Sequence, residues 1–598
     1  MNTNESKILS IAELKKLKVS ELDEQAKLIR SYIIDNVSKT GGHLSSNLGV
    51  VELTLALHYV FDSPFDKLIF DVGHQDYAHK IITGRKEEFN KLRKHNGLSG
   101  FPNYEESEHD VWESGHSSTS IASSIGFLEA RKVYKDKIGE IVSIIGDGAF
   151  ANGLALSSLN YLAENRKDKV IIILNDNEMS ISKNVGGIAK KFSQIRIRKS
   201  YQTFRKFTFR FVREGFKALI YHHNIFTSLG LKYLGPIDGH DIKSLVEYLT
   251  YAKNYNETIV LHIKTKKGKG YLYSEEDKIG AWHGVGPFDV ESGKMLKASN
   301  PNMSCWSELV GEVVKKKVEE NDNIKIITPA MTFGCGLENI KKEYPDKVID
   351  VGINEELAVL IGASMSRNDV VPIVSIYSTF LQRAYDELNN DINRSNNHVI
   401  FLVDRSGLVP NDGSTHQGIY DIALFSHLKN FVITMPSNIS EFECLLDMAI
   451  KSSNPFVIRY PKDNTLNELT KAEVKFGAWK VVKDIKKVNV ITYGNDVIYF
   501  KEIIEKQNKE IGLINALFIK PIDYDLLNKL SGTTLIVYEQ VIQSGSLGEA
   551  IEKYLYENNI NINLKRYYVD GLIKEGTIDE IKEDLNLSID AIINEVNL

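Results

Sequence analysis

Asp147, set in Gly146-Asp147-Gly148, and the amide of Asn177, closing Asn175-Asp176-Asn177, are residue types that hold a hard cation. Mg2+ sites typically use one or two such oxygen ligands while phosphate oxygens and water fill the other positions. Glycine lets the backbone turn tightly and come close to a ligand, and Ala149 follows directly. The pattern is that of a clamp for a metal and a diphosphate. Glycine-flanked histidines surround it in Gly42-His43-Leu44-Ser45-Ser46-Asn47-Leu48-Gly49, Asp71-Val72-Gly73-His74-Gln75, Gly115-His116-Ser117-Ser118-Thr119-Ser120 and Trp282-His283-Gly284. Imidazoles on such loops suit a site that moves protons beside phosphates. Lys264-Thr265-Lys266-Lys267-Gly268-Lys269-Gly270 adds positive charge.

The second half offers Glu355 in Asp350-Val351-Gly352-Ile353-Asn354-Glu355-Glu356-Leu357-Ala358, then Asp404-Arg405-Ser406-Gly407 and Asp412-Gly413-Ser414-Thr415-His416-Gln417-Gly418. An arginine, a carboxylate and an imidazole on neighbouring loops suit an acceptor that is both an aldehyde and a phosphate ester. Planar guanidinium groups bind phosphate bidentately.

Such residues need strand ends to present them. Ile141–Ile145 and Lys169–Leu174 read as short, β-branched, buried parallel strands. The run from Ile121 to Ala130 has a helical pattern, and N–H groups at its start could hold a phosphate. A further helix is expected from Ser20. Strands are expected at Val371–Ile376, Val399–Val403, Phe431–Met435 and Phe456–Tyr460, then at Val488–Tyr493, Ile511–Ala516 and Thr534–Tyr538. This alternation predicts an α/β fold of three domains, residues 1–289, 304–464 and 476–598, with mostly parallel twisted sheets. Val290 to Asn302 reads as a linker.

The chain has 598 residues, 42% hydrophobic and 25% charged, with a net charge of −6 that gives no reason to expect nucleic acid or an anionic membrane. Its three cysteines, Cys305, Cys335 and Cys444, are scattered; they favour a reducing compartment, and a cytoplasmic location is expected. No apolar run approaches the roughly 20 residues that span a bilayer, and the N-terminus has no apolar leader. Lys190 to Arg213 holds nine basic residues and no acidic one, interleaved with aromatics. It reads as a cover or partner surface beside the cofactor site, or else as a platform for single-stranded nucleic acid.

The Gly-Asp-Gly and Asn-Asp-Asn pair resembles the thiamine diphosphate motif of transketolase-like enzymes. The histidine motifs, Asn175-Asp176-Asn177-Glu178-Met179, Gly235-Pro236-Ile237-Asp238-Gly239-His240-Asp241 and the Lys267–Gly270 run narrow that resemblance to the 1-deoxy-D-xylulose-5-phosphate synthase family, over essentially the full chain. The resemblance implies a transketolase-like fold, thiamine diphosphate and Mg2+ as cofactors, and a homodimer. The implied reaction condenses pyruvate with glyceraldehyde 3-phosphate, releasing CO2 and giving 1-deoxy-D-xylulose 5-phosphate, a precursor of isoprenoids, thiamine and pyridoxal. Asp147, Asn177 and Met179 would then hold the metal. His74, Gly115, His116, Ser117, Gly146, Asp147, Gly148, Ala149, Asn177, Lys269, Glu355 and Phe380 would hold the cofactor. Glu355 would activate it, with His416, His43, His74 and His283 moving protons. Arg93, Arg405 and Arg459 would bind the acceptor phosphate, and Asp412 and His416 its hydroxyl and carbonyl groups, with Tyr377 and Arg383 also at the substrate.

The chain departs from that pattern at Leu357, where the family commonly has histidine, at Asp76 and Ala78 beyond His74, and at Pro410-Asn411 before Asp412. A related thiamine-dependent ketol transferase with another donor or acceptor therefore stays open. So does a non-enzymatic binding protein, on the Lys190–Arg213 stretch.

Overall fold

The computed structural model describes residues 7–177, 224–296, 302–467 and 472–596. The chain divides into two compact units, Met1–Lys297 and Ala298–Leu598.

The first unit is built on five parallel strands: β1 (Lys67–Phe70), β2 (Ile141–Gly146), β3 (Ile171–Asp176), β4 (Lys232–Asp238) and β5 (Ile259–Lys264), in the order β1-β2-β3-β5-β4. Ile171 to Leu174 are all fully buried, because helices cover both faces and leave no polar side to the strand. The expected strand at Lys169–Leu174 lies two residues further on. Lys169 is instead a half-buried cation beside Glu140, and strand pairing runs through Asp176. The helices used below are α1 (Leu22–Thr40), α2 (Leu44–Leu48), α3 (Val51–Val60), α4 (Tyr77–Lys80), α5 (Ser120–Val133) and α6 (Asp147–Phe150). Because the strands are parallel, β1, β2, β3 and β5 all end on one edge, the place where open α/β sheets bind ligands. The loops after those strands carry His74, Asp147, Asn177 and Lys267.

The second unit holds two main sheets and a small antiparallel pair, Met303–Cys305 with Asn464–Leu466. The larger comprises β6 (Ile324–Thr328), β7 (Val348–Asp350), β8 (Val371–Tyr377), β9 (Ile400–Asp404), β10 (Val432–Thr434) and β11 (Phe456–Arg459), all parallel, and β15 (Phe518–Lys520), which joins antiparallel beside β10. The smaller comprises β12 (Lys480–Lys483), β13 (Val488–Thr492), β14 (Ile511–Asn515), β16 (Thr534–Ile542) and β17 (Asn563–Val569), with only β12 antiparallel. The strand Phe518–Lys520 thus crosses from the C-terminal third of the chain into the larger sheet. Trp306 Nε1 donates to Asn495 Oδ1 at 2.9 Å, a second tie between the two sheets. One continuous apolar cluster, from Trp306 to Leu555, fills the space around them. Such a shared core explains why the two sheets form one unit. In the larger sheet α7 (Glu355–Met365) packs on β8.

Among the described residues, no helix is long and apolar enough to cross a membrane. Met179 and the Lys190–Arg213 stretch lie outside the described residues.

Candidate active site

In the first unit, the loop after β1 is pinned by its own acid. Asp71 accepts from Ser118 N–H at 2.7 Å and Ser120 N–H at 3.0 Å, and Ser118 Oγ donates to Ala149 O at 2.8 Å. These bonds bring Gly115, His116 and Ser117 to the end of β2, beside Gly146 and Asp147. At the start of α5 the Ser120 N–H is given to the Asp71 carboxylate, which supplies negative charge of the kind a helix start attracts. Asp71 carried a signal in its position ahead of Val72-Gly73-His74, but nothing in the spacing said that it faces a loop some 45 residues downstream.

Asp147 opens α6 nearly buried, with Gly148 N–H on its Oδ1 at 3.0 Å. A side chain at Gly146 would meet nothing within 4 Å, so the end of β2 opens onto free space. Asn175 and Asn177 separate. Asn175 is fully buried and accepts from Thr265 Oγ1 at 2.6 Å, tying β3 to the loop after β5. Asn177 stays at the sheet edge, half-buried. Period-two alternation puts both on one face, with Asp176 on the opposite face bonded to His262 Nε2 at 2.8 Å; they differ because Asn175 lies inside β3 and Asn177 just past its end. Among the described residues, no group of three or more histidine, cysteine and acidic side chains stands ready for a metal.

His43, His74 and His283 come together. Their ring centroids are 5.5 Å (His43 and His74), 5.6 Å (His43 and His283) and 5.3 Å (His74 and His283) apart. Burial, then the nearby Lys267 charge, pushes the His283 imidazole well below its ordinary value, so it stays neutral. Ser46 Oγ lies 3.3 Å from its Nδ1. Lys267 itself is lowered to about 8 by burial, against the pull of Asp277 and Asp147. Lys269, expected at the cofactor, lies where its charge acts on Glu275, the partner of Lys266. Lys267 is therefore the lysine of this run that the fold turns toward Asp147 and His283. Two lysines two positions apart look alike in sequence; the turn at Gly268 (φ +74°) separates them. Arg93 is buried, in a left-handed conformation (φ +59°), with its N–H on Leu98 O at 2.7 Å.

In the second unit, Glu355 begins α7 and is 1% exposed. Its Oε2 is buried without a hydrogen-bond donor among the described residues, and Arg383 Nη1 stands 3.6 Å away. Burial outweighs that cation and raises the carboxyl above its ordinary value. Glu356 turns partly outward and Leu357 is 45% exposed, so the departure at Leu357 does not alter the buried side of the helix. Tyr377 stacks on Phe380 (centroids 5.9 Å apart), and His416 meets Phe380 edge-on at 5.4 Å. Arg405, also left-handed (φ +58°), lays its guanidinium 3.6 Å from the Tyr377 ring centroid and bonds Asp404 Oδ2 at 3.0 Å. Asp404 accepts from Ser307 Oγ at 2.7 Å as well.

The loop carrying Asp412 and His416 is closed by Gln417, whose amide bonds Val409 twice (2.7 and 2.9 Å) and Gly413 O at 2.8 Å. Asn411 N–H donates to Gly576 O at 2.8 Å, which gives Pro410-Asn411 a packing role against the C-terminal part of the unit. Asp412 pairs with Lys462. Arg459 departs from the simple expectation of an open phosphate ligand. It is 0% exposed, and its Nε and Nη2 both lie 2.9 Å from the Asp421 carboxylate, with Nη1 against Met435 Sδ. Asp421 and Lys462 had no distinguishing signal in the sequence, since each acts through a partner far along the chain.

Each unit by itself carries a feature that suits part of thiamine diphosphate. In the second, a buried Glu355 oxygen without a donor among the described residues suits a protonatable ring nitrogen; in the first, the open end of β2 beside Asp147 and Lys267 suits a diphosphate. Comparison with known proteins bears on the same chemistry. A family model described as 1-deoxy-D-xylulose-5-phosphate synthase matches residues 6–265. Models for the transketolase pyrimidine binding domain and the transketolase C-terminal domain match residues 303–467 and 477–592. Proteins named 1-deoxy-D-xylulose-5-phosphate synthase from Macrococcus caseolyticus and from a Geobacillus species are each 41% identical to this chain, over 99% of it and 98% of theirs. The protein of that name from Bacillus cereus is 40% identical over 98% of this chain and 97% of its own.

Proposed function

Because the chain belongs to the 1-deoxy-D-xylulose-5-phosphate synthase family, we propose that it condenses pyruvate with D-glyceraldehyde 3-phosphate to give 1-deoxy-D-xylulose 5-phosphate and CO2. It is a transketolase-like transferase of the thiamine diphosphate-dependent kind. The observation that carries the reading is Glu355: a buried carboxyl raised above its ordinary value, with one oxygen that has no hydrogen-bond donor among the described residues. Keeping such a group in a core costs stability unless a ligand uses it.

When bound, thiamine diphosphate supplies the electron sink that lets pyruvate lose CO2. Glu355 would meet the pyrimidine ring with the proton on its carboxyl, and Phe380 would pack beside it. Asp147, Asn177 and Met179 would hold Mg2+ through oxygen ligands, and Lys267 and His74, on the same sheet edge as Asp147, would neutralise the diphosphate. His43, His74 and His283 share one cluster, and the neutral His283 can accept a proton there. His416, with its Nδ1 2.8 Å from Thr415 Oγ1, handles the proton of the acceptor carbonyl. Arg405 and Arg93 bind the acceptor phosphate, and Arg459 braces that region through Asp421 while lending its charge. Asp412 orients the acceptor hydroxyls. Residues 1–289, 304–464 and 476–598 divide these tasks as a diphosphate half, a pyrimidine and acceptor half, and a supporting domain. A cytoplasmic homodimer completes the reading, and light scattering in dilute buffer reports its mass.

The test is product analysis with thiamine diphosphate, Mg2+ and pyruvate, with and without glyceraldehyde 3-phosphate. Acceptor-dependent CO2 release with a five-carbon deoxyketose phosphate is expected. CO2 release without that product would overturn the acceptor assignment.

A further inference from the structure

The histidine-bearing loops of the first unit are fastened to α2 by different means. The His283 loop is held by main chain: Gly42 and Val285 exchange N–H···O bonds of 2.8 and 2.9 Å, and Ser45 N–H donates to Trp282 O at 3.1 Å. The His74 loop is held through side chains. Asn47 Nδ2 donates to His43 O at 2.6 Å and to His74 O at 2.7 Å. Asn47 Oδ1 accepts from Tyr77 N–H at 2.9 Å, and Tyr77 OH accepts from His43 N–H at 3.0 Å. Asn47 and Tyr77 are both 0% exposed, so water does not compete for these bonds. An asparagine amide offers two N–H donors and a carbonyl acceptor in one plane; all three are spent here on two loops from separate parts of the chain.

We infer that Asn47 is a positioning residue that sets the register of His74 against His43. This inference rests on the proposed function, in which both histidines move protons. Backbone pairing already fixes His43 against His283 through Gly42 and Val285. On the His74 side, the described bonds to the His43 loop run through the Asn47 amide and the Tyr77 hydroxyl. Misplacing a reacting group by about 1 Å can cost on the order of 100-fold in rate. Asn47→Asp keeps the shape of the side chain but sets acceptor oxygens against the two histidine carbonyls, so the loops should part. Tyr77→Phe keeps the ring and removes the hydroxyl that accepts from His43 N–H.

The experiment compares Asn47→Asp, Tyr77→Phe and His43→Asn in kcat and KM. It adds two readouts that need no turnover: the Kd of thiamine diphosphate from tryptophan fluorescence, and histidine ring 15N shifts in the cofactor-free protein. For Asn47→Asp, kcat should fall about 100-fold while KM for pyruvate stays within about threefold. The His43 and His74 ring signals should move, and those of His240 and His262, in other bonding networks, should not. The double variant Asn47→Asp with His43→Asn should lose no more than His43→Asn alone. If Asn47→Asp keeps kcat within about threefold while His43→Asn is inactive, the positioning role is overturned and the proposed function stands. If His43→Asn itself keeps full activity, the proton role fails and the inference falls with it. Should Asn47→Asp fail to fold, Tyr77→Phe decides. A loss of about tenfold in kcat with KM unchanged supports the inference, and wild-type kcat overturns it.

Discussion

Glu355→Gln should abolish turnover and, at neutral pH, make the protein more stable. The Glu355 side chain is 1% exposed, its Oε2 has no donor among the described residues, and the nearest cation, Arg383 Nη1, is 3.6 Å away on a half-buried side chain. Burial wins over that attraction and raises the carboxyl in the folded state. A folded-state value above the unfolded one means that the folded chain holds this proton more tightly. Its stabilising contribution is therefore complete below the unfolded value and is lost as pH rises through the folded value. Above that window, a buried polar atom without a partner costs about 1–3 kcal/mol, and more when charged. Glutamine fills the same volume without the charge. Urea denaturation of the cofactor-free protein should place Glu355→Gln about 1–3 kcal/mol above wild type at pH 8, with the gap narrowing toward pH 5. Hydrogen exchange in peptides covering α7 localises the effect. Loss of the acid should meanwhile lower kcat by at least about 100-fold. A variant less stable than wild type by more than about 1 kcal/mol at pH 8 would refute the reasoning, because Glu355 would then be a structural partner of Arg383.

The Arg459–Asp421 pair makes the opposite prediction. Both groups are buried and bonded twice, so Arg459→Ala should destabilise by about 3–5 kcal/mol by stranding Asp421. Unchanged denaturation with only a raised KM for the aldehyde phosphate would show that substrate, rather than Asp421, uses the guanidinium. Lys267→Met should weaken thiamine diphosphate binding about tenfold or more by calorimetry, an effect of roughly 1.4 kcal/mol. The wild-type amine is charged below about pH 8 and neutral above it, so cofactor affinity should fall as pH passes 8. An affinity flat from pH 7 to 9 would remove Lys267 from the diphosphate. Asp147→Asn should raise the Mg2+ concentration needed for half-maximal cofactor binding about tenfold or more, and an unchanged requirement would contradict its role as a ligand.

The sequence by itself determined the elements and the kind of chemistry. β-branched runs such as Ile141–Ile145 and Val399–Val403 could only be buried strands, and glycine beside Asp147, His43 and His74 marked places where the chain must approach a ligand closely. Those are local properties, written in residues adjacent along the chain. Period-two alternation implied that Asn175 and Asn177 share a face. Which of them faces Thr265 and which stays at the edge depended on where β3 starts, and that is set by pairing with β5.

Tertiary structure alone decided the partnerships. The strand Phe518–Lys520 joins a sheet whose other members end near residue 459, a pairing no local pattern encodes. Lys267 and Lys269 have the same chemistry and nearly the same neighbours, yet the turn at Gly268 between them puts Lys267 where its charge acts with Asp147 and His283. The resemblance gave Arg459 to the acceptor phosphate, but its pairing with Asp421, some 40 residues away, is set by the fold. Glu355 could be picked out by its motif, but its raised carboxyl follows from desolvation, a property of everything packed around it rather than of the glutamate.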